Sequence, residues 1–230
     1  MGVRTTLWSQ RELRGVLVGA LTTLVFAFAA LTVFVAQRPL PPRLVNHFDQ
    51  RLRAYPGASR YVLATWLRAG GSAPVVVVAA LGAALLLGTL WHRRDLALVC
   101  VAAPLLAGAA ELAIKSIVER GTAHTAALEG AFGAGYPSGH TAGITAVAAA
   151  VVLSIFELVR DRRARGAVAG AAVVLVTAVA ASNIVAGAHR SLDVVGGVLL
   201  GVAAVLAVFI GVSVQRDVGN RSARLPQTRV

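Results

Sequence analysis

Apolar residues in this chain gather into long uncharged blocks instead of recurring at the spacing of a half-buried strand or a surface helix. Four such blocks, 16–36, 70–91, 166–188 and 194–215, are each long enough to cross a hydrocarbon core, which takes about 20 helical residues. Two weaker ones, 96–114 interrupted by Glu111 and 141–159 with Glu157 near its far end, complete a prediction of six transmembrane helices and an all-α fold. The first block follows Arg11 and Arg14, has no small-residue cleavage site close behind it and is too long for a signal-peptide core, so it is expected to remain as a span. Between the first two blocks, 37–69 is rich in Arg and Pro and carries Tyr55, Tyr61 and Trp66, an amphipathic composition suited to the headgroup layer. Arg53, Arg60 and Arg68 interrupt every window in which a seventh crossing would fit. The expected organisation is an N-terminal part over 1–95 with two spans and this connection, a four-helix core over 96–214, and a polar tail over 215–230.

A content of 57% hydrophobic and only 14% charged residues excludes an ordinary water-soluble globule. The formal charge of +12 raises nucleic acid as a partner, but the basic residues lie between the apolar blocks, which is a topological pattern and not a duplex-binding face. In a six-span arrangement thirteen Lys and Arg fall in the N-terminus, the second and fourth connections and the C-terminus, against nine on the opposite side, of which six lie in the long first connection, where arginines can lie in the headgroups, and three in the third and fifth. Both termini are therefore expected in the cytoplasm, with the third and fifth connections outside. Cys100 is the single cysteine, which rules out an intrachain disulfide and a cysteine-cluster metal site. No Gly-rich loop ending in Lys-Ser/Thr occurs, so nothing points to a nucleotide. The pairs Gly15/Gly19, Gly166/Gly170 and Gly197/Gly201 have the spacing that lets helices approach closely, and Trp8 and Trp91 near span ends read as interfacial anchors.

Under this topology Lys115 and Arg120 follow the third span, Pro137-Ser138-Gly139-His140 opens the fourth, and His189 with Asp193 links the fifth to the sixth, all at one membrane face. Ionisable groups at membrane depth are costly and as a rule face a cavity or a partner. Each has a plainer reading alone: Lys115 as an end-cap paired with Glu111 four residues earlier, and the Pro-Ser-Gly-His run as a capped helix start with an incidental histidine. In that run Pro and Ser start helices and Gly lets a ligand approach the backbone, so the unpaired N–H groups form an anion site with the Ser138 hydroxyl as a further donor. His189 and Asp193 are four apart and would share a face on a helix, where the carboxylate can orient the imidazole. Two cations, a helix-start nest and two histidines suit phosphoryl transfer at a lipid headgroup. Zinc suits the set less, because Lys115 and Arg120 repel a dication, and no cofactor is expected. His124, Glu119 and Glu129 read as solvated loop residues, and His47 and His92 as surface residues.

In order and spacing these residues resemble the type 2 phosphatidate phosphatase superfamily, which includes bacterial polyprenyl diphosphate phosphatases and, more distantly, vanadium haloperoxidases. The likeness covers roughly 96–211. The family pattern is a Lys segment ending in Arg-Pro, then Pro-Ser-Gly-His, then Ser-Arg followed by His and, four residues on, Asp. Here Pro137 to His140 match in full, and Ser182, His189 and Asp193 keep the third segment's spacing. The resemblance implies a phosphatase-like helical core in which His189 becomes a phosphohistidine, Asp193 orients it, His140 protonates the leaving oxygen, and Lys115, Ser138 and the Gly139 N–H hold the phosphoryl oxygens without a metal.

Two positions depart from that pattern: Thr122-Ala123 stands where the family has Arg-Pro, and Asn183 where it has arginine. Each missing charge-assisted hydrogen bond is worth about 1.5 to 3 kcal/mol. Arg120 is expected to replace the first if the helix unwinds after Lys115, with Gly121 as its end; in a continuing helix five residues turn it about 140° away. Asn183 offers neutral donors in place of the second, and Arg190, adjacent to His189, is a poorer substitute. The implied function is metal-independent hydrolysis of a lipid phosphate or diphosphate at the extracytoplasmic face of a bacterial cytoplasmic membrane. A polyprenyl diphosphate is the first substrate and a phosphatidate-type glycerolipid the second. Lipid phosphotransfer and a non-catalytic lipid-binding relative are the alternatives. The expected partners are the substrate and membrane lipids, with no nucleic acid; oligomeric state is not legible.

Overall fold

The computed structural model describes residues 10–37, 43–54, 57–126 and 135–222. Its elements are α1 (Gln10–Gln37), α2 (Arg43–Leu52), α3 (Ser59–Ala69), α4 (Ala73–Thr89), α5 (Arg94–Ala126), α6 (Gly139–Leu158), α7 (Arg162–Val185) and α8 (Ser191–Ser222), with no strand among the described residues. The strong apolar blocks have become α1, α4, α7 and α8, and the weaker ones α5 and α6. By length and composition α1, α5, α6, α7 and α8 can each cross a membrane, and α3 with α4, bent by 45°, passes the same test as a pair and makes six if the two form one span. The chain is an all-α polytopic membrane protein. The bend lies at Gly70-Gly71-Ser72, where two residues of low helix propensity precede a Ser N-cap and a proline in the first turn of α4. The amphipathic connection has folded into α2 and α3, too short to span.

One expectation about α5 is overturned. The helix does not end after Lys115 but continues to Ala126. A lone glycine costs a helix only about 1 kcal/mol, so Gly121 does not terminate it by itself. Position 120 is thereby turned about 140° from Lys115. The side chains of Glu119, Arg120 and His124, together with Trp8, Tyr55 and Glu129, lie outside the described residues.

The core is built around α6 and α8, whose spanning windows are 50% and 56% buried inside the protein, whereas that of α1 is not buried at all. Small residues permit this. Ala146 and Ala150 of α6 meet Ala204, Val205 and Phe209 of α8 and Val99, Cys100, Ala103 and Ala107 of α5 in one cluster. A Cβ on Gly197 would fall 2.6 Å from the Ser138 carbonyl oxygen, and one on Gly201 2.6 Å from that of Ala142, so this pair marks the α6–α8 crossing. Gly15, Gly19, Gly166 and Gly170 have nothing within 4 Å of such an atom. Of these three pairs, Gly197/Gly201 alone is used for close packing within the chain.

Outside this core Phe26, Val78, Leu85, Val173 and Val174 are exposed, a distribution that suits lipid chains and not water. Trp91 is exposed at the end of α4, and His47 and His92 are exposed as expected. One end of the bundle is tied by charge. Arg93 pairs with Asp95 at 3.1 Å and Glu157 at 3.6 Å, Arg216 pairs with Asp95, and Arg14 with Asp217. These contacts join the start of α1 and α5 to the end of α6 and α8. The functional candidates lie at the other end.

Candidate active site

The site is built on two helix starts. Ser138 is the N-cap of α6, extended at φ −71° and ψ 111°, and its Oγ accepts from the Thr141 N–H at 3.5 Å and pairs with the Thr141 hydroxyl at 3.1 Å. Its N–H donates to the Asp193 carbonyl at 2.9 Å, which links the start of α6 to the first turn of α8. The chain arrives through a cis Tyr136–Pro137 peptide. Tyr136 is buried, stacked on Phe28 of α1 at 5.9 Å, and its hydroxyl accepts from Thr32 at 3.1 Å. Burial pushes the Tyr136 phenol up to about 12; the Asp193 charge adds to this and the Thr32 hydrogen bond opposes it, so the ring is neutral across physiological pH.

His189 lies in the turn between α7 and α8, not on a helix with Asp193. Gly187, at φ +70°, occupies the left-handed conformation that lets the chain reverse after α7. The Asn183 carbonyl then accepts from both the Ala188 and His189 N–H groups, at 2.9 and 3.2 Å. Asp193, in the first turn of α8, reaches back to the Arg190 N–H at 2.9 Å as the acidic half of a capping box. Its Oδ2 is also 3.6 Å from His189 Nδ1, beyond hydrogen-bond length but within range of an ion pair when the imidazole is charged. The orienting relation read from the four-residue spacing thus arises through a turn and a helix start instead of one helical face.

The amphipathic connection braces this turn. Asp49 of α2, almost fully buried, accepts from the Ser191 N–H at 3.2 and 3.4 Å, and the Ala54 N–H donates to the Val185 carbonyl at 2.9 Å. A carboxylate at the start of α8 also complements its helix dipole. Asp49→Ala leaves a buried donor unmatched and frees the turn that carries His189. The melting temperature in detergent is expected to fall by the worth of that unmatched donor, about 1 to 3 kcal/mol. Asp49→Asn, which keeps an acceptor for the Ser191 N–H, should retain part of the stability.

Lys115, Gly139, His140 and His189 meet at one end of a cavity of about 570 Å³, together with Arg68 and Glu111. Val76, Val77, Ala80 and Leu81 of α4 with Val101, Pro104 and Leu105 of α5 form its remaining wall. Lys115 donates to Glu111 at 2.5 Å, and the Glu111 carboxylate is packed against Gly139, where any Cβ would meet it. Asp193 stands one step behind His189. Ser138 and Asn183 are fully buried behind the cavity, Ser138 engaged with Thr141 of α6, and Asn183 with the Val179 carbonyl through Nδ2 and with Arg68 through Oδ1. Among the described residues no three His, Cys, Asp or Glu side chains form a metal-ligand set.

Arg68 and Glu111 were not singled out as site residues from sequence. Arg68 read as one of several arginines at the headgroups and Glu111 only as a partner for Lys115. The available signal for Arg68 was the Gly70-Gly71 break just after it, which turns the end of α3 inward.

Fold and site together define a polytopic helical membrane protein in which Arg68, Lys115 and two imidazoles line one end of an otherwise apolar cavity. The chain belongs to the PAP2 superfamily, whose family model matches residues 15–217. Members of that superfamily are generally phosphatases, which places the chain among phosphoester hydrolases that act on lipid phosphates. No curated protein and no solved structure matches it.

Proposed function

We propose that the protein hydrolyses a lipid phosphate or diphosphate without a metal, through a phosphohistidine on His189, at the extracytoplasmic face of a bacterial cytoplasmic membrane, with a polyprenyl diphosphate as substrate. The cavity carries this reading: one end offers Lys115, the α6 start and two imidazoles, and the rest is apolar, the complement of a molecule with a phosphate head and a hydrocarbon tail. With Nδ1 facing Asp193, His189 attacks phosphorus through Nε2. The bond to the leaving oxygen breaks and His140 gives that oxygen its proton. Water then attacks the phosphohistidine while His140 takes up a proton, releasing inorganic phosphate and restoring His189. Lys115 and the Gly139 N–H hold the non-bridging oxygens; Asp193 stabilises the imidazolium; Ser138 and Asn183 hold these groups in place from behind.

The arginine distribution supports the sidedness, since the site lies at the end of the bundle away from the Arg93 and Arg216 cluster. Purified protein in detergent and chelator is expected to release phosphate from a polyprenyl diphosphate faster than from phosphatidate. Rapid quenching with radiolabelled substrate should leave label on the protein that is stable to base and lost in acid. Dependence on added metal, absence of a labelled intermediate, or preference for phosphatidate would each overturn the corresponding part.

A further inference from the structure

We infer that Arg68, at the end of α3 in the first connection, grips the substrate phosphoryl group and supplies the charge that α7 lacks at Asn183; the inference rests on the phosphatase reading above. Arg68 lines the polar end of the cavity with Lys115, His140 and His189. Its Nε–H donates to Asn183 Oδ1 at 3.1 Å. Asn183 is fully buried, its Nδ2 donates to the Val179 carbonyl at 2.8 Å, and its own carbonyl holds the His189 N–H. The amide is therefore occupied in seating Arg68, on the same residue whose backbone fixes the nucleophile turn.

A guanidinium held through Nε keeps its terminal N–H groups for a second partner, and that fork matches two oxygens of a phosphoryl group. Among the described residues no carboxylate pairs with Arg68, whereas Lys115 has Glu111. A cation at membrane depth without a counter-charge is costly unless an anion completes the site. The seat is rigid. Gly71 is buried three residues on, where a Cβ would lie 2.7 Å from the His140 carbonyl oxygen and 2.8 Å from Val179 Cγ1, so the end of α3 is clamped between the start of α6 and α7. The bent α3–α4 pair thus delivers a cation into a centre otherwise built by α5, α6 and the α7–α8 turn.

The test compares Arg68→Ala, Arg68→Lys, Asn183→Ala and the double variant Arg68→Ala/Asn183→Arg in detergent, reading kcat/KM on the lipid substrate and inhibition by inorganic phosphate. Arg68→Ala is expected to lower kcat/KM by about 10- to 100-fold, the worth of a charge-assisted contact, and to weaken phosphate inhibition similarly, while the protein stays folded with its melting temperature lowered only by the loss of the Asn183 hydrogen bond. Asn183→Ala should lose less, because the guanidinium remains. Arg68→Lys should recover part of the loss and the double variant more. If Arg68 only supported Asn183, the two alanine variants would fall together and phosphate inhibition would stay at the parent's value, which overturns the inference. Should Arg68→Ala fail to fold, Arg68→Lys and Arg68→Gln carry the same inhibition measurement. A parent that releases no phosphate defeats the phosphatase reading itself; an active parent with an indifferent Arg68→Ala defeats only the assignment of Arg68.

Discussion

His189→Ala is expected to lower phosphate release by about three to six orders of magnitude, the range for removal of a nucleophile, while leaving the protein folded. The side chain is buried in the turn after α7, yet its Nδ1 makes no hydrogen bond to the protein, so truncation strands no polar partner there. Asp193 keeps its bond from the Arg190 N–H, and the Asn183 carbonyl keeps its bonds from the turn. A melting temperature near that of the parent, beside a near-complete loss of turnover and of the labelled intermediate, is the expected pair of results. His140→Ala should be milder, about 10²- to 10⁴-fold, and milder still on a substrate whose leaving group needs no protonation. An unimpaired His189→Ala enzyme would remove the nucleophile from the mechanism.

Gly201→Val should have the largest effect on folding. A Cβ there would lie 2.6 Å from the Ala142 carbonyl oxygen and 2.7 Å from Thr145 Cβ, on the buried face of α6. Neither neighbour can rotate aside: one is a backbone oxygen and the other a Cβ, whose position its own backbone fixes. The two central helices must separate, and overpacking of this kind typically costs about 1 to 3 kcal/mol. The same movement would shift Gly139 and His140 against the His189 turn, so residual folded protein should turn over slowly. Gly15→Val and Gly166→Val meet nothing within 4 Å and are expected to melt like the parent. Equal melting temperatures for all three in detergent would mean that the α6–α8 crossing does not hold the bundle.

The contrast between these glycines shows what could be read in advance. Gly15/Gly19, Gly166/Gly170 and Gly197/Gly201 share the spacing for close helix approach, and contact with α6 distinguishes the last of them. Lys115 and Glu111 were legible as an ion pair because four residues on one helix are neighbours. His189 and Asp193 had the same spacing but meet through a turn and a cap, since Gly187 reverses the chain between the helices. The end of α5 was misjudged for a related reason: Gly121 is a weak stop without a following cap or proline.

Sequence alone determined the all-helical membrane architecture and the residue types from which a phosphate site can be made. Uncharged length and short-range spacing are properties of single segments, and the bilayer acts on each segment separately. Only the tertiary structure decided that Ser138 and Asn183 are fully buried, that Asp49 braces the turn that carries His189, and that Arg68 lines the cavity from the first connection. Those outcomes depend on α2 docking at the start of α8 and α3 packing on α7. Such contacts join residues far apart in the chain and carry no periodic signature, so they exist only once the helices have packed.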